Sequence, residues 1–235
     1  MGDLIDAAAD GNVKRVKQLI TDGTYNVNKR IPNGKTALSL ASEGGFKEIV
    51  ALLIAAGANV DNISLDGNAP LIYATYDGNK EIVKMLIAAG ANVNYEGTYY
   101  GTPLTIAAHN GDNEIVAMLI AAGADVNQAT SNKVTPLINA TIPGHEEIVK
   151  MLIAAGADVN PAGPDVYVYA PTITMHTPLE FALKHKHMDI ARMLIKADAY
   201  ARRRAAIIAH AHSRKMRRGR KGKATRRGKV MRKSR

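Results

Sequence analysis

The sequence predicts an all-α repeat solenoid, a stack of helix–turn–helix units with a basic C-terminal extension. Three observations predict it. The phrase EIVKMLIAAGANVN at 81–94 returns at 147–160 as EIVKMLIAAGADVN, with Asn92 against Asp158 the only change. Midway between them, 33 residues from each, stands EIVAMLIAAGADVN at 114–127, and 33 residues before the first stands EIVALLIAAGANVD at 48–61. Charge is also segregated. Residues 201–235 hold 16 of the 31 Lys and Arg and none of the 21 acids, a balance of +16 against −6 for residues 1–200. An acidic body and a basic tail are separate devices.

Composition agrees with stacked helices. Apolar residues make up 46% of the 235, aromatics only 5%, and there is no Trp. A core of Ala, Leu, Ile and Val suits close helix packing better than a large sandwich. There is no Cys, so neither a disulfide nor thiol chemistry is available. The opening MGDLIDAAADG carries acids and no long apolar run, unlike a secretory signal, and Asp6 fails the myristoylation pattern. No stretch approaches the ~18 apolar residues that span a bilayer. The expectation is a soluble, intracellular protein.

Each element of a unit follows from residue chemistry, taking 102–127, TPLTIAAHNGDNEIVAMLIAAGADVN. Thr102 caps free amides with its hydroxyl, and Pro103 takes the first helical position, where a missing N–H costs nothing. Leu104, Ala107 and Ala108 give a short apolar face, and Gly111 ends the helix. Asp112 or Asn113 starts a second helix, with Ile115, Val116, Leu119 and Ile120 on one stripe until Gly123 stops it. GADVN then turns the chain toward the next unit. Alone, such a unit leaves its apolar face wet, so only stacked neighbours bury it, and identical interfaces demand identical residues. The Ala pairs at 88–89, 121–122 and 154–155 are expected to let neighbouring helices approach closely.

The motif recurs with variations. TAL (36–38), APL (69–71) and TPL (102–104, 135–137, 177–179) precede the good copies, a looser copy occupies 15–28, and DIARMLIKADAY starts at Asp189. The phrase [TA]PL, then G-x-x-E-I-V, then L-I-A-A-G-A-[DN]-V-[ND], at a period of 33 over roughly residues 2–200, resembles the ankyrin repeat family. The resemblance implies six L-shaped units with projecting β-hairpin fingers, a curved solenoid with a concave face, binding to other macromolecules, and no catalysis. Units are expected at about 2–34, 35–67, 68–100, 101–133, 134–175 and 176–199, followed by a basic extension at 200–235. The solenoid itself is expected to be monomeric. The first unit lacks TPL and begins with a polar cap. Asn68–Ala69 gives the third no hydroxyl cap, Pro143 ends the first helix of the fifth, and Asp198 replaces the last stop glycine, so the final helix is free to run on into the tail.

Spacing from fifth to sixth unit is 42, so nine residues are inserted in one finger, within PAGPDVYVYAPTITMH at 161–176. Its strand formers on either side of Ala170–Pro171 suggest an enlarged hairpin or a stiff Pro-bounded loop. Tyr167 and Tyr169 there, and Tyr95, Tyr99 and Tyr100 on the finger before the fourth unit, suit a protein-binding hot spot; a tolerated insertion is the plainer reading. In ankyrin proteins the finger tips and exposed first-helix side form the contact surface. The matching column here is Glu43, Tyr76, His109, Ile142 and Lys184. Its varied chemistry within regular repeats is what a recognition face, or drift at exposed sites, would produce.

Residues 199–218 lack Gly and Pro and read as helix, with Ala201, Ala205, Ile208, His212 and Met216 as a stripe able to dock on the last repeat. Beyond it, the Gly-spaced basic run has too little apolar content for a core and reads as disordered. Arg202, Arg203, Arg204, Arg214, Lys215, Arg217, Arg218, Arg220, Lys221, Lys223, Arg226, Arg227, Lys229, Arg232, Lys233 and Arg235 would neutralise phosphates and release counterions. No aromatic follows Tyr200, so this is a backbone grip on nucleic acid, RNA ahead of DNA, without base stacking. A nuclear or nucleolar targeting signal is the alternative, and an acidic protein or anionic membrane would also attract this charge. Catalytic chemistry finds no support: no phosphate loop, no Cys nucleophile and no distinguished acid pair, hence no enzyme and no cofactor. His185–Lys186–His187 and His210–Ala211–His212 would splay their rings on a helix, so no metal is expected. The resemblance gives His145 a structural turn role.

Overall fold

In the computed structural model of the chain, the residues described are 3–23, 25–98, 101–161, 163–164 and 175–206. Residues up to 191 form one unit and residues from 192 a second. Short helices alternate with slightly longer ones. The first helices are α1 (Leu4–Ala9), α3 (Ala37–Glu43), α5 (Pro70–Tyr76), α7 (Pro103–Asn110), α9 (Pro136–Thr141) and α11 (Pro178–Lys184). The second helices are α2 (Val13–Thr21), α4 (Lys47–Ala55), α6 (Lys80–Ala88), α8 (Asn113–Ala121) and α10 (Glu146–Ala154). Each first helix packs on the next first helix, each of these second helices on the next, and partners within a repeat on each other, giving two layers. The architecture is an all-α repeat solenoid.

The starts and stops obey the expected chemistry. The hydroxyls of Thr36, Thr102, Thr135 and Thr177 accept from the third amide of α3, α7, α9 and α11, and Pro103, Pro136 and Pro178 open their helices. Helix α5 begins at Ala69 with no side-chain cap. Pro143 follows α9, which stops at Thr141. Residues 188–206 are helical throughout, so the helix passes Asp198 without stopping.

Ile82, Val83 and Leu86 and their repeat equivalents Ile115, Val116, Leu119 and Ile148, Val149, Leu152 are buried, while Ile120, expected on the same stripe, is only half-buried at its edge. The Ala pairs depart from expectation. Ala88–Ala89, Ala121–Ala122 and Ala154–Ala155 are exposed, because they occupy the last helical position and the cap beyond it, off the packed stripe. Close approach is instead made between first helices, at the fully buried Ala41, Ala74, Ala107, Ala140 and Ala182.

Two devices fix the stacking register. The first runs through the [DN]-V-[ND] turns. Asn59, Asn92, Asp125 and Asp158 donate their amides to the side-chain oxygens of Asn28, Asp61, Asn94 and Asn127 in the preceding repeat, at 2.7, 2.8, 2.8 and 2.7 Å. The side chains of Asn59, Asn92 and Asp125 meanwhile accept from the amide two residues on, closing their own turns. The second device lies at the starts of the second helices. The His145 Nε2–H donates to the His109 carbonyl at 3.0 Å, and the His187 Nε2–H to the Ile142 carbonyl at 3.1 Å. Their rings lie against Gly111 and Gly144, where an added Cβ would come within 2.7 Å of the imidazole. Both glycines also hold φ in the left-handed region, 83° and 88°. His145 therefore ties one repeat to the previous one, which gives its turn position a physical reason.

Candidate interaction surfaces

The fingers are built on a fixed closing pattern. Residue 31 pairs with 35, 64 with 68, 97 with 101 and 130 with 134, each finger 33 residues after the last. The next member of the series is Gly163, whose partner is His176 rather than residue 167. Strands β1 (Gly163–Pro164) and β2 (Met175–His176) pair antiparallel, so the inserted nine residues widen the finger above an unchanged base. Val166, Tyr167, Val168, Tyr169, Thr172, Ile173 and Thr174 lie outside the described residues, as do Tyr99 and Tyr100 inside the Gly97–Gly101 bridge. Tyr95 is half-buried and spends its hydroxyl on the Gly67 carbonyl, at 2.9 Å. Burial, and then the negative Asp66, hold its pKa above the ordinary phenol value.

Along the first-helix column, Glu43, Tyr76, His109 and Lys184 are exposed. Ile142 is not: it is 7% exposed and clusters with Val134, Ile138 and Phe181. The short α9 makes Ile142 a cap residue, and the large Phe181 of the following repeat packs with it. The fifth repeat therefore interrupts the exposed column with a core residue.

A polar network that the repeat pattern did not announce joins the first and second fingers to α3 and α5. The buried Tyr73 donates to the Asp66 carboxylate at 2.6 Å and lies 2.8 Å from the Ser64 hydroxyl, while Ser64 also reaches Asp66. The Lys35 ammonium sits 4.7 Å over the Tyr73 ring and pairs with Glu43 at 2.7 Å. Burial would raise the Asp66 pKa, but the Ser64 and Tyr73 hydroxyls, the Asn68 amide and the Lys35 charge outweigh it and hold the carboxyl below its usual range. Tyr73 itself is pushed well above the ordinary phenol value, first by burial and then by Asp66. Asp77 is raised, first by burial and then by Glu43. Beside this network Leu65 is 74% exposed and Ile63 is exposed too. The signal for Leu65 was present in the repeats: it is an aliphatic side chain at the tip position held elsewhere by Pro32, Thr98 and Ser131.

The His185 and His187 rings do not splay. They stack, with centroids 6.0 Å apart and planes 11° from parallel. Lys186 between them has φ 63°, so the pair straddles a turn between two helices instead of lying on one. Among the described residues no three His, Asp or Glu gather into a metal-holding group. His210 and His212 lie outside the described residues.

In the second unit, Arg202, Arg203 and Arg204 are exposed on a helix, and Arg202 pairs with Asp198 at 2.8 Å. Ala201 and Ala205, expected on a docking stripe, are exposed, while Ile208, His212 and Met216 lie outside the described residues. So do the remaining basic positions, Arg214, Lys215, Arg217, Arg218, Arg220, Lys221, Lys223, Arg226, Arg227, Lys229, Arg232, Lys233 and Arg235. No described helix is long and apolar enough to cross a membrane.

Among the described residues, alternating short and longer helices, equally spaced finger bases and a side-chain ladder from turn to turn define a repeat protein. The family model described as ankyrin repeats (3 copies) matches residues 4–97 and 96–163, and the chain belongs to that family. An ankyrin repeat domain from Acinetobacter baumannii is similar to it with a TM-score of 0.74 and 31% identity, over 83% of this chain and 97% of that one. The human ASB11 ankyrin repeat domain is similar with a TM-score of 0.69 and 26% identity, over 84% of each chain. No curated protein sequence matches the chain significantly. Ankyrin repeats generally act as non-enzymatic modules that mediate protein–protein interaction.

Proposed function

We propose that the chain is a non-enzymatic adaptor. Its ankyrin fingers and first-helix ends dock a protein, and its basic C-terminal region grips the backbone of a nucleic acid, RNA ahead of DNA, within a ribonucleoprotein. The observation that carries the second half is the separation of charge, sixteen Lys and Arg after residue 200 with no acid among them. Counterion release from about six to ten phosphate contacts gives tight, salt-sensitive binding with no stacking platform. The first half is supported by the exposed, chemically varied column of Glu43, Tyr76, His109 and Lys184 and by the projecting Leu65. Localisation in the nucleus, the nucleolus or another RNA-rich compartment follows from that reading.

Deleting residues 202–235 tests it. The truncated protein should keep its circular dichroism and thermal midpoint and lose the gel shift of the full chain. A gel shift unchanged by the deletion refutes the nucleic-acid role. The Gly-spaced Arg and Lys clusters also suit a second reading, a plain interaction or inhibitor module whose tail is only a nuclear or nucleolar address. In that case the purified protein binds RNA at physiological salt no better than a chain with a scrambled tail.

A further inference from the structure

On the second finger Ser64 is buried, while its neighbours Ile63 and Leu65 are turned outward, 41% and 74% exposed. The ledge they form is held rigidly. The Leu65 amide donates to the Asn33 carbonyl of the first finger at 2.8 Å, and the Ser64 amide to the Asn68 carbonyl at 3.1 Å. Arg30 and Asn62 each donate to the Gly34 carbonyl at 3.1 Å, and Arg30 also donates to the Ile63 carbonyl. An apolar side chain presented on such a frame loses little freedom when a partner covers it.

Charge beside the ledge is unbalanced. From Leu65, contacts run to Asp66, then through Tyr73 and Lys35 to Glu43. Glu43 is the last residue of α3 and Asp77 the cap of α5, and Glu43, after burial, helps hold the Asp77 carboxyl above its ordinary range. The Asp112 carboxylate follows beyond Gly78. Two cations stand against these four carboxylates: Arg30, engaged by finger carbonyls, and Lys35, paired with Glu43. The flanking pairs Lys29–Asp3 and Lys80–Glu114 cancel. Neither α3 nor α5 has a basic residue in its last turn, so Glu43 and Asp77 add to the negative ends of their helices, where a cation is the favoured neighbour.

We propose that Ile63 and Leu65, together with the Glu43 and Asp77 ends of α3 and α5, form a docking face for a cationic amphipathic helix of a partner protein. The proposal rests on the protein-docking half of the reading above and names the partner's chemistry. A projecting Leu fills the hole between four side chains on the apolar stripe of a facing helix. Lys or Arg flanking that stripe then meet the carboxylates. Charge selects this occupant: the same excess of carboxylates repels a second copy of the face, a nucleic acid and an anionic membrane.

The test uses the full chain and helical peptides of about 20 residues with one Leu/Ile stripe flanked by Lys or by Gln, and a Lys peptide whose stripe is scrambled. Fluorescence anisotropy across a salt series gives affinity, and amide chemical shifts give the footprint. The Lys peptide should bind at least about tenfold tighter than the Gln and scrambled peptides. Leu65→Ser should weaken its binding at least about fivefold. Asp77→Asn should weaken it about two- to fivefold and flatten the salt dependence. Glu81→Gln, which removes the same charge from α6, should change it less than about twofold. All three variants should keep the native thermal midpoint, since these side chains are exposed. No binding of the Lys peptide, equal binding of the Gln peptide, or native affinity in both Leu65→Ser and Asp77→Asn overturns the proposal. A dimer of the free chain that Leu65→Ser abolishes assigns the face to a second copy and overturns it too. A footprint on other finger tips or at His109 then leaves the wider docking role standing, whereas one confined to the second helices overturns both.

Discussion

Lys186 stands where earlier repeats hold Gly11, Gly45, Gly78, Gly111 and Gly144, and it keeps their left-handed backbone with φ 63°. A side chain in that region costs about 1 kcal/mol over glycine. Lys186→Gly should therefore raise the urea midpoint by an amount worth about 0.5–1 kcal/mol. Asp66 carries a pH prediction. Its folded pKa lies below the ordinary carboxylate value of about 3.9. A depressed carboxyl contributes stability above its unfolded pKa and loses it as pH falls toward the lower folded value. Thermal midpoints should consequently drop more steeply below about pH 4 in the native chain than in Asp66→Asn. Tyr73→Phe should cost about 1–3 kcal/mol at neutral pH, because it strips a donor from a half-buried carboxylate. Unchanged stability in that variant would show that the network adds nothing.

At the level of the element, α5 begins at Ala69 where four sister helices begin at a capping Thr. Ala69→Thr should gain about 1 kcal/mol if the hydroxyl reaches the Ile72 amide as its sisters do, and differential scanning calorimetry reads it directly. The widened finger makes the complementary case. Removing residues 165–173 would restore the four-residue separation between Gly163 and His176 seen in the other fingers. Loop closure from thirteen residues to four is worth about 1 kcal/mol, so the excised chain should melt at or slightly above the native temperature. A large loss of stability would mean that the insertion packs as part of the fold and is not a tolerated surface element.

Across the repeats of the first unit, stability is a sum of nearest-neighbour terms. Interior repeats are held on both sides and the first repeat on one. Amide exchange should be slowest in α5 to α8 and fastest in α1 and α2, with intermediate values between them. Breaking the ladder at Asn127→Ala removes the acceptor for the Asp158 amide, and should speed exchange in α10 more than in α4. Uniform protection along the array would contradict the nearest-neighbour account.

The fold was legible in the sequence because a period of 33 with a buried stripe, a capping Thr–Pro and a stop glycine is set by local chemistry that each unit repeats. The same local chemistry placed the nine-residue insertion, and Asp198 in place of a stop glycine foretold the helix that runs on. The Ala pairs were misjudged because composition says that small residues permit close approach, but not which layer makes it. Ile142 looked like a surface column member until Phe181 of the next repeat packed with it, and His185 and His187 looked like residues of one helix until Lys186 broke it. The link of Tyr73 to Asp66 and Ser64, and the passage of Asn side chains from one turn to the next, join residues whose partners sit some seven to thirty-one positions away. Periodicity by itself determined the unit. The choice of which exposed-looking residues are spent on neighbours was made only by stacking, because burial belongs to the contact between repeats and not to either repeat alone.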